Sequence, residues 1–232
     1  MTKLVSFAAV LAVAAAAVLP WPGSGSTDLA AFGAAQAQDA QVDTSLVHEM
    51  ALGAEDAPVT IYEYASATCP HCKNFHLNTF GKVKSEYIDT GKVRLIYREV
   101  YFDRFGLWAG MVARCGTPTG EDADPELVAA GEKRYFAIMN LVYEQQATWT
   151  QADSPAGVAA NLARIGRTAG LSPEQVDACL QDADLARAMV AVYEETSAAD
   201  GVESTPTFII NGKKAPGNMS FDDFSALIEE AM

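Results

Sequence analysis

The stretch Val59-Thr60-Ile61-Tyr62-Glu63-Tyr64-Ala65-Ser66-Ala67-Thr68-Cys69-Pro70-His71-Cys72 sets two cysteines, with two residues between them, directly behind a strand-like apolar run. Proline is favoured at the first helical position, where a missing N–H costs nothing, so a helix is predicted to begin at Pro70. At such a start the unpaired backbone N–H groups and the positive end of the macrodipole favour an anion, which lowers the pKa of Cys69. A protonated His71 would add to that effect. A low-pKa thiol is a good leaving group, so a Cys69–Cys72 disulfide would yield readily to an incoming thiolate and oxidise other proteins. Cys72, one turn into the helix, is the shielded partner.

Two plainer readings compete. Cys69, Cys72 and His76 have a partial zinc-ligand spacing, but a closed site needs four ligands, and only His48 and His71 remain as histidines, with no second CxxC. An inert disulfide over two intervening residues closes too small a loop to add much entropic stabilisation. Thiol redox chemistry is therefore expected, with the cysteine pair itself as the redox group, no cofactor and no metal.

Working outward, the helix after Cys72 carries Phe75, Val83 and Tyr87 and should stop near Gly91, where a second strand, Val93-Arg94-Leu95-Ile96-Tyr97, follows. Strand, helix and strand make a βαβ unit, implying parallel pairing with a right-handed crossover. The motif then sits at the carboxyl end of its strand, where open α/β sheets place their chemistry.

Upstream, Lys3 precedes an apolar run from Leu4 to Leu19, and Ala35-Gln36-Ala37 offers a small-residue cleavage site, which reads as an export signal over residues 1–37. An uncleaved anchor is the alternative, although that run is short for the roughly 20 residues a bilayer needs. The composition, 50% hydrophobic and 20% charged, is ordinary for a globular chain. The net charge of −14 argues against nucleic acid or anionic lipid as a partner. Export changes the cysteine arithmetic, because four cysteines in an oxidising compartment read as two pairs.

The second pair falls in a helical region of about 95 residues from Asp103, with no convincing strand. Leu107, Met111 and Cys115 recur at i, i+4, i+8, and Val176, Cys179 and Leu180 at i, i+3, i+4, so both cysteines point inward and a Cys115–Cys179 bridge is permitted. Closing so long a loop would stabilise the chain by roughly 4 kcal/mol, as an upper figure. Two buried thiols are the other possibility, since free cysteine packs as a small hydrophobe. Downstream the strand signal returns in Thr205-Pro206-Thr207-Phe208-Ile209-Ile210, ended by the hairpin dipeptide Asn211-Gly212, and a capped amphipathic helix follows Ser220.

Taken together, Cys-Pro-His-Cys, the helical insertion, Thr205-Pro206 before an apolar strand, and the final hairpin and helix resemble the DsbA family of exported thiol:disulfide oxidoreductases. The likeness covers nearly all of the chain beyond the signal, including Glu63 six residues before Cys69, Tyr135-Phe136 to Trp149, Asp177-Ala178-Cys179-Leu180 and Gly201 to Gly212. It implies an α/β, thioredoxin-like fold interrupted by an inserted α-helical domain. The boundaries expected are a signal peptide over 1–37, a lead-in over 38–57, the fold proper over 58–102 and 200–232, and the insertion over 103–199. It also implies that Pro206 is cis and faces the cysteines, leaving the Thr205 backbone to pair with an extended client segment.

Read without the family, Pro206 would be an ordinary trans proline at a strand edge, Glu63 could equally face solvent, and His71 could simply be exposed. With it, Glu63 is a buried carboxylate able to exchange a proton with Cys72. The function implied is that of a periplasmic monomer forming disulfides in reduced exported client proteins and reoxidised by a DsbB-like, quinone-linked membrane protein. Thr205 stands where the best-known members carry a bulky aliphatic residue, which keeps a disulfide isomerase or reductase in view. A non-enzymatic client-binding or metal-binding module on the same fold is a further alternative.

Overall fold

The computed structural model describes residues 42–120, 122–217 and 219–232. The export signal expected over 1–37, and the first residues of the lead-in, lie outside the described residues. Among the described residues five strands form one sheet: β1 (Met50–Leu52), β2 (Val59–Ala65), β3 (Val93–Glu99), β4 (Thr207–Ile210) and β5 (Lys213–Ala215). The spatial order is β1-β3-β2-β4-β5, with β2 and β3 parallel and the other neighbours antiparallel. The stretch expected to be a plain lead-in thus contributes an edge strand. Three residues, Met50-Ala51-Leu52, are too few to show an alternating pattern, and only pairing with Leu95 to Tyr97 makes them a strand.

β2 is the central strand, buried along its length apart from half-buried Thr60 and Tyr62, which is why it reads as a continuous apolar run. Its register sets Glu63 beside Tyr97 on β3 and Phe208 on β4. The helix after it begins as α1 (Pro70–Phe75), passes through a π turn at His76–Phe80, tightens as α2 (Gly81–Val83) and ends in a second π turn at Lys84–Ile88. Its buried face is a helical stripe of Cys72, Phe75, His76, Thr79, Val83, Tyr87 and Ile88, at steps of one, three or four residues. Gly91, at φ +76°, ends the element.

Among the described residues between β3 and β4 run six helices: α3 (Arg104–Arg114), α4 (Pro125–Glu144), α5 (Gln146–Thr150), α6 (Pro155–Thr168), α7 (Pro173–Gln181) and α8 (Ala183–Ala199). All but α5 start on a side-chain cap, Asp103 on α3, Asp124 on α4, Ser154 on α6, Ser172 with Gln175 as a capping box on α7, and Asp182 on α8. One apolar cluster runs unbroken from the sheet (Ile61, Leu95, Phe208) through α1 (Phe75) into the insertion (Ile138, Trp149, Leu162, Val176). Cys115 and Cys179 are joined by a disulfide, the first buried at the end of α3 and the second half-buried on α7. The Asn211-Gly212 turn has positive φ at both residues, the geometry that lets two strands pair across a two-residue loop. The last helix, α9 (Phe221–Ala231), packs Phe224 and Ile228 under the sheet. Among the described residues no helix is long and apolar enough to cross a membrane.

Candidate active site

The motif is held at the junction of β2 and α1. Cys69 is the N-cap of α1 with extended backbone, Pro70 is its first residue, and Cys72 follows on the buried side. The loop leading in is fastened from the insertion: Gln146 Nε2 on α5 donates to the carbonyls of Ala67 (2.8 Å) and Cys69 (3.0 Å), and Tyr143 Oη on α4 donates to that of Ser66 (3.3 Å). On the other side, Asp103 caps α3 and accepts from Thr68 Oγ1 at 2.9 Å.

Cys69 and Cys72 are both free thiols, the reduced half of a dithiol–disulfide couple. They differ sharply in surroundings. Cys69 retains 8% of its surface and Cys72 none. A hydrogen bond from Cys72, assisted by Thr205 and by the backbone N–H groups of Cys72 and His71, holds the Cys69 thiol down at about 5 although burial opposes it. Burial, and then the neighbouring Cys69 sulfur, push the Cys72 thiol far up. One sulfur is therefore a stable thiolate at neutral pH and the other keeps its proton. His71 itself is exposed, and its ring has no hydrogen-bond partner among the described residues, so its contribution is made through its backbone.

Opposite the cysteines, the Thr205–Pro206 peptide is cis, and the Thr205 carbonyl oxygen lies 3.4 Å from Cys69 Sγ, accepting from it while the sulfur is protonated. Thr205 Oγ1 is buried without a hydrogen-bond partner in the protein. Beneath the motif Glu63 is fully buried, its Oε1 2.9 Å from His76 Nε2 and its Oε2 without a partner in the protein. Among the described residues no group of three or more His, Cys, Asp or Glu is placed to hold a metal ion.

A family model described as thioredoxin matches residues 45–230. The chain belongs to the thioredoxin family. It is similar to Wolbachia pipientis α-DsbA1, whose crystal structure superposes with a TM-score of 0.67 at 27% identity over 79% of this chain and 90% of that one. The Bacillus subtilis disulfide bond formation protein D is 25% identical over 81% of this chain and 79% of its own length. A Rickettsia conorii protein, provisionally named a protein-disulfide oxidoreductase, is 29% identical over 80% of this chain. The chain spans 61% of that relative's length.

Several residues of this DsbA-type site carry no signal in a linear reading. His76, four positions after Cys72 on the same helical face, reads in sequence only as an incomplete zinc ligand. Tyr143 and Gln146 lie some 75 residues beyond the motif and reach it only because α4 and α5 fold back over the sheet. Gly217 packs against the cis-proline segment so closely that a Cβ there would lie 1.7 Å from the Pro206 carbonyl oxygen.

Proposed function

We propose that the chain is an exported, periplasmic dithiol oxidase that introduces disulfide bonds into reduced client proteins. The observation that carries this reading is the asymmetry of the pair: a Cys69 thiol held at about 5 with a small part of its surface exposed, beside a fully buried Cys72 whose thiol is pushed up. A couple whose reduced form is stabilised in this way surrenders its disulfide readily. A client thiolate attacks Cys69 Sγ, the Cys69–Cys72 bond breaks, and its electron pair leaves on Cys72, which takes a proton by way of the Glu63 carboxyl. A second client thiolate attacks the client sulfur of the mixed disulfide and releases Cys69 as a thiolate. The client leaves oxidised and the enzyme reduced.

The backbone of Thr205, next to Pro206, offers the edge along which an extended client segment pairs. Reoxidation falls to a quinone-linked membrane partner of the DsbB type, and the enzyme works as a monomer. Thr205 beside the cis proline is the feature that would suit an isomerase. Refolding of a reduced, disulfide-containing test protein separates these readings. Wild type should restore activity stoichiometrically from its disulfide, Cys69→Ser should not, and Cys72→Ser should trap the client covalently. A Cys69→Ser variant that still oxidises substrate would sink the oxidase assignment, and a strongly reducing couple acting only on scrambled disulfides would favour the isomerase.

A further inference from the structure

The exchange steps above use Glu63 but give no work to the imidazole bound to it. We propose that His76 is a positioning residue that shares with Glu63 one mobile proton, so that the pair, rather than the carboxyl alone, supplies Cys72 when it leaves. This rests on the oxidase reading of the cysteine pair.

Four observations converge. Glu63 and His76 are 0% and 7% exposed, and their 2.9 Å contact is the only hydrogen bond either side chain makes among the described residues. The second carboxyl oxygen, Oε2, is buried with no partner in the protein, an arrangement that suits a carboxyl carrying a proton or passing one on. His76 lies one turn beyond Cys72 on the same face, and its amide N–H bonds to the Cys72 carbonyl. It is also the first residue of a π turn, and its ring stands edge-on to Phe75 in the core at 5.7 Å.

The walls of this chamber leave the proton few other places to go. From α4 the Tyr143 ring stacks on His76 at 4.4 Å, and from β3 the Tyr97 ring stands 5.8 Å away, the two phenols joined at 2.5 Å. Burial pushes both phenols well up, so each remains neutral. Cys72, from α1, is the remaining titratable group here, and its charge and that of Glu63 bear on both tyrosines. The next charges, Glu99 and Arg114, are bound to each other beyond Tyr135. A buried carboxylate with no cation beside it is costly, whereas a carboxylate with an imidazolium, or a carboxylic acid with an imidazole, is a neutral pair.

The step balances. As the client thiolate bonds to Cys69 Sγ, the Cys69–Cys72 bond breaks and its electrons pass to Cys72 Sγ. The pair gives that sulfur its proton, becomes singly negative, and is refilled from solvent.

Single-turnover reduction of the oxidised enzyme by a dithiol peptide, followed from pH 5 to 8, tests this. His76→Gln keeps a donor for Glu63 but cannot carry the proton. It should slow the step about tenfold, within the range of general acid catalysis, and flatten its pH profile, as should Glu63→Gln. The double variant should be no slower than the slower single one. A His76→Gln enzyme within twofold of wild type, with an unchanged profile, overturns the proposal. Histidine ¹⁵N shifts in the unaltered protein provide a check that does not depend on a variant folding: the His76 signals should follow pH differently in the oxidised and reduced forms, and identical curves overturn it. If Cys69→Ser retains oxidase activity, the functional reading itself fails. If Cys69→Ser is inactive while His76→Gln is unaffected, only this inference fails.

Discussion

The Thr205 carbonyl oxygen sits 3.4 Å from Cys69 Sγ, so the cis-proline segment touches the reactive sulfur directly. The hydroxyl of the same residue is buried without a hydrogen-bond partner while Cys69 is a thiol, and it becomes a donor to that sulfur when Cys69 is ionised. A hydrogen bond to a charged group is worth about 1.5–3 kcal/mol. Thr205→Val, which keeps the shape and deletes the hydroxyl, is expected to raise the Cys69 thiol by about one unit, or ~1.4 kcal/mol. Thiolate absorbance near 240 nm, titrated in the reduced enzyme, reads this directly. No upward movement would show that the hydroxyl does not reach the sulfur.

The depressed Cys69 thiol also makes the reduced protein's stability depend on pH. Its folded value, about 5, lies below the unfolded thiol range of about 8.5, so the folded form releases this proton first. The stabilisation is complete above the unfolded value and is lost as pH falls through about 5. The disulfide form has no such group to titrate. The stability difference between reduced and oxidised protein should therefore shift towards the oxidised form on acidification from pH 8 to 5, measured as paired thermal midpoints. A constant difference across that window would contradict the assignment.

Far from the sulfur, Arg114 and Glu99 form a two-point ion pair at 2.7 and 2.6 Å, with Arg114 also donating to the His48 carbonyl and Glu99 accepting from Tyr135 Oη. Burial works against the guanidinium charge, but the Glu99 carboxylate beside it holds the group above its ordinary value. Arg114→Ala would strand a buried carboxylate and should cost about 3–5 kcal/mol in denaturant unfolding. Arg114→Ala with Glu99→Gln should recover part of that loss, because no unpaired charge remains.

Gly217 offers a test of the site's rear wall. A Cβ at this position would overlap the Pro206 carbonyl, which is backbone and cannot rotate aside. Gly217→Ala should displace the cis-proline segment, cost about 1–3 kcal/mol by overpacking, and weaken client oxidation at least tenfold while leaving the Cys69–Cys72 pair able to form its own disulfide. Alkylation with and without reductant separates the two effects.

Much of this architecture is readable from local chemistry. The β2–α1 junction announces itself through an apolar run, a proline at the helix start and the cysteine spacing. The hairpin does so through Asn211-Gly212, and the insertion through its helical periodicity and capping residues. Contacts made by distant folding are not readable in this way. The β1 edge is a strand only because β3 pairs with it, and nothing near His76 in sequence says that its ring lies against Glu63. The i, i+4 spacing from Cys72 puts His76 on the buried face, but its partner Glu63 belongs to a separate element, β2. The likeness to the DsbA family draws attention to Glu63 and Pro206, while Gln146, Tyr143 and Gly217 emerge only from coordinates.

The two hydrogen bonds donated by the Gln146 side-chain amide have a practical consequence for anyone engineering this scaffold. The loop that sets the position of Cys69 is moored to a helix outside the strand-helix-strand core. A grafted Cys-Pro-His-Cys tetrapeptide would carry the reactive atoms into a bare thioredoxin core but leave their mooring behind. Transplants that bring α4 and α5 along with the motif should keep the donor's redox behaviour, and those that bring the motif alone should take on the host's.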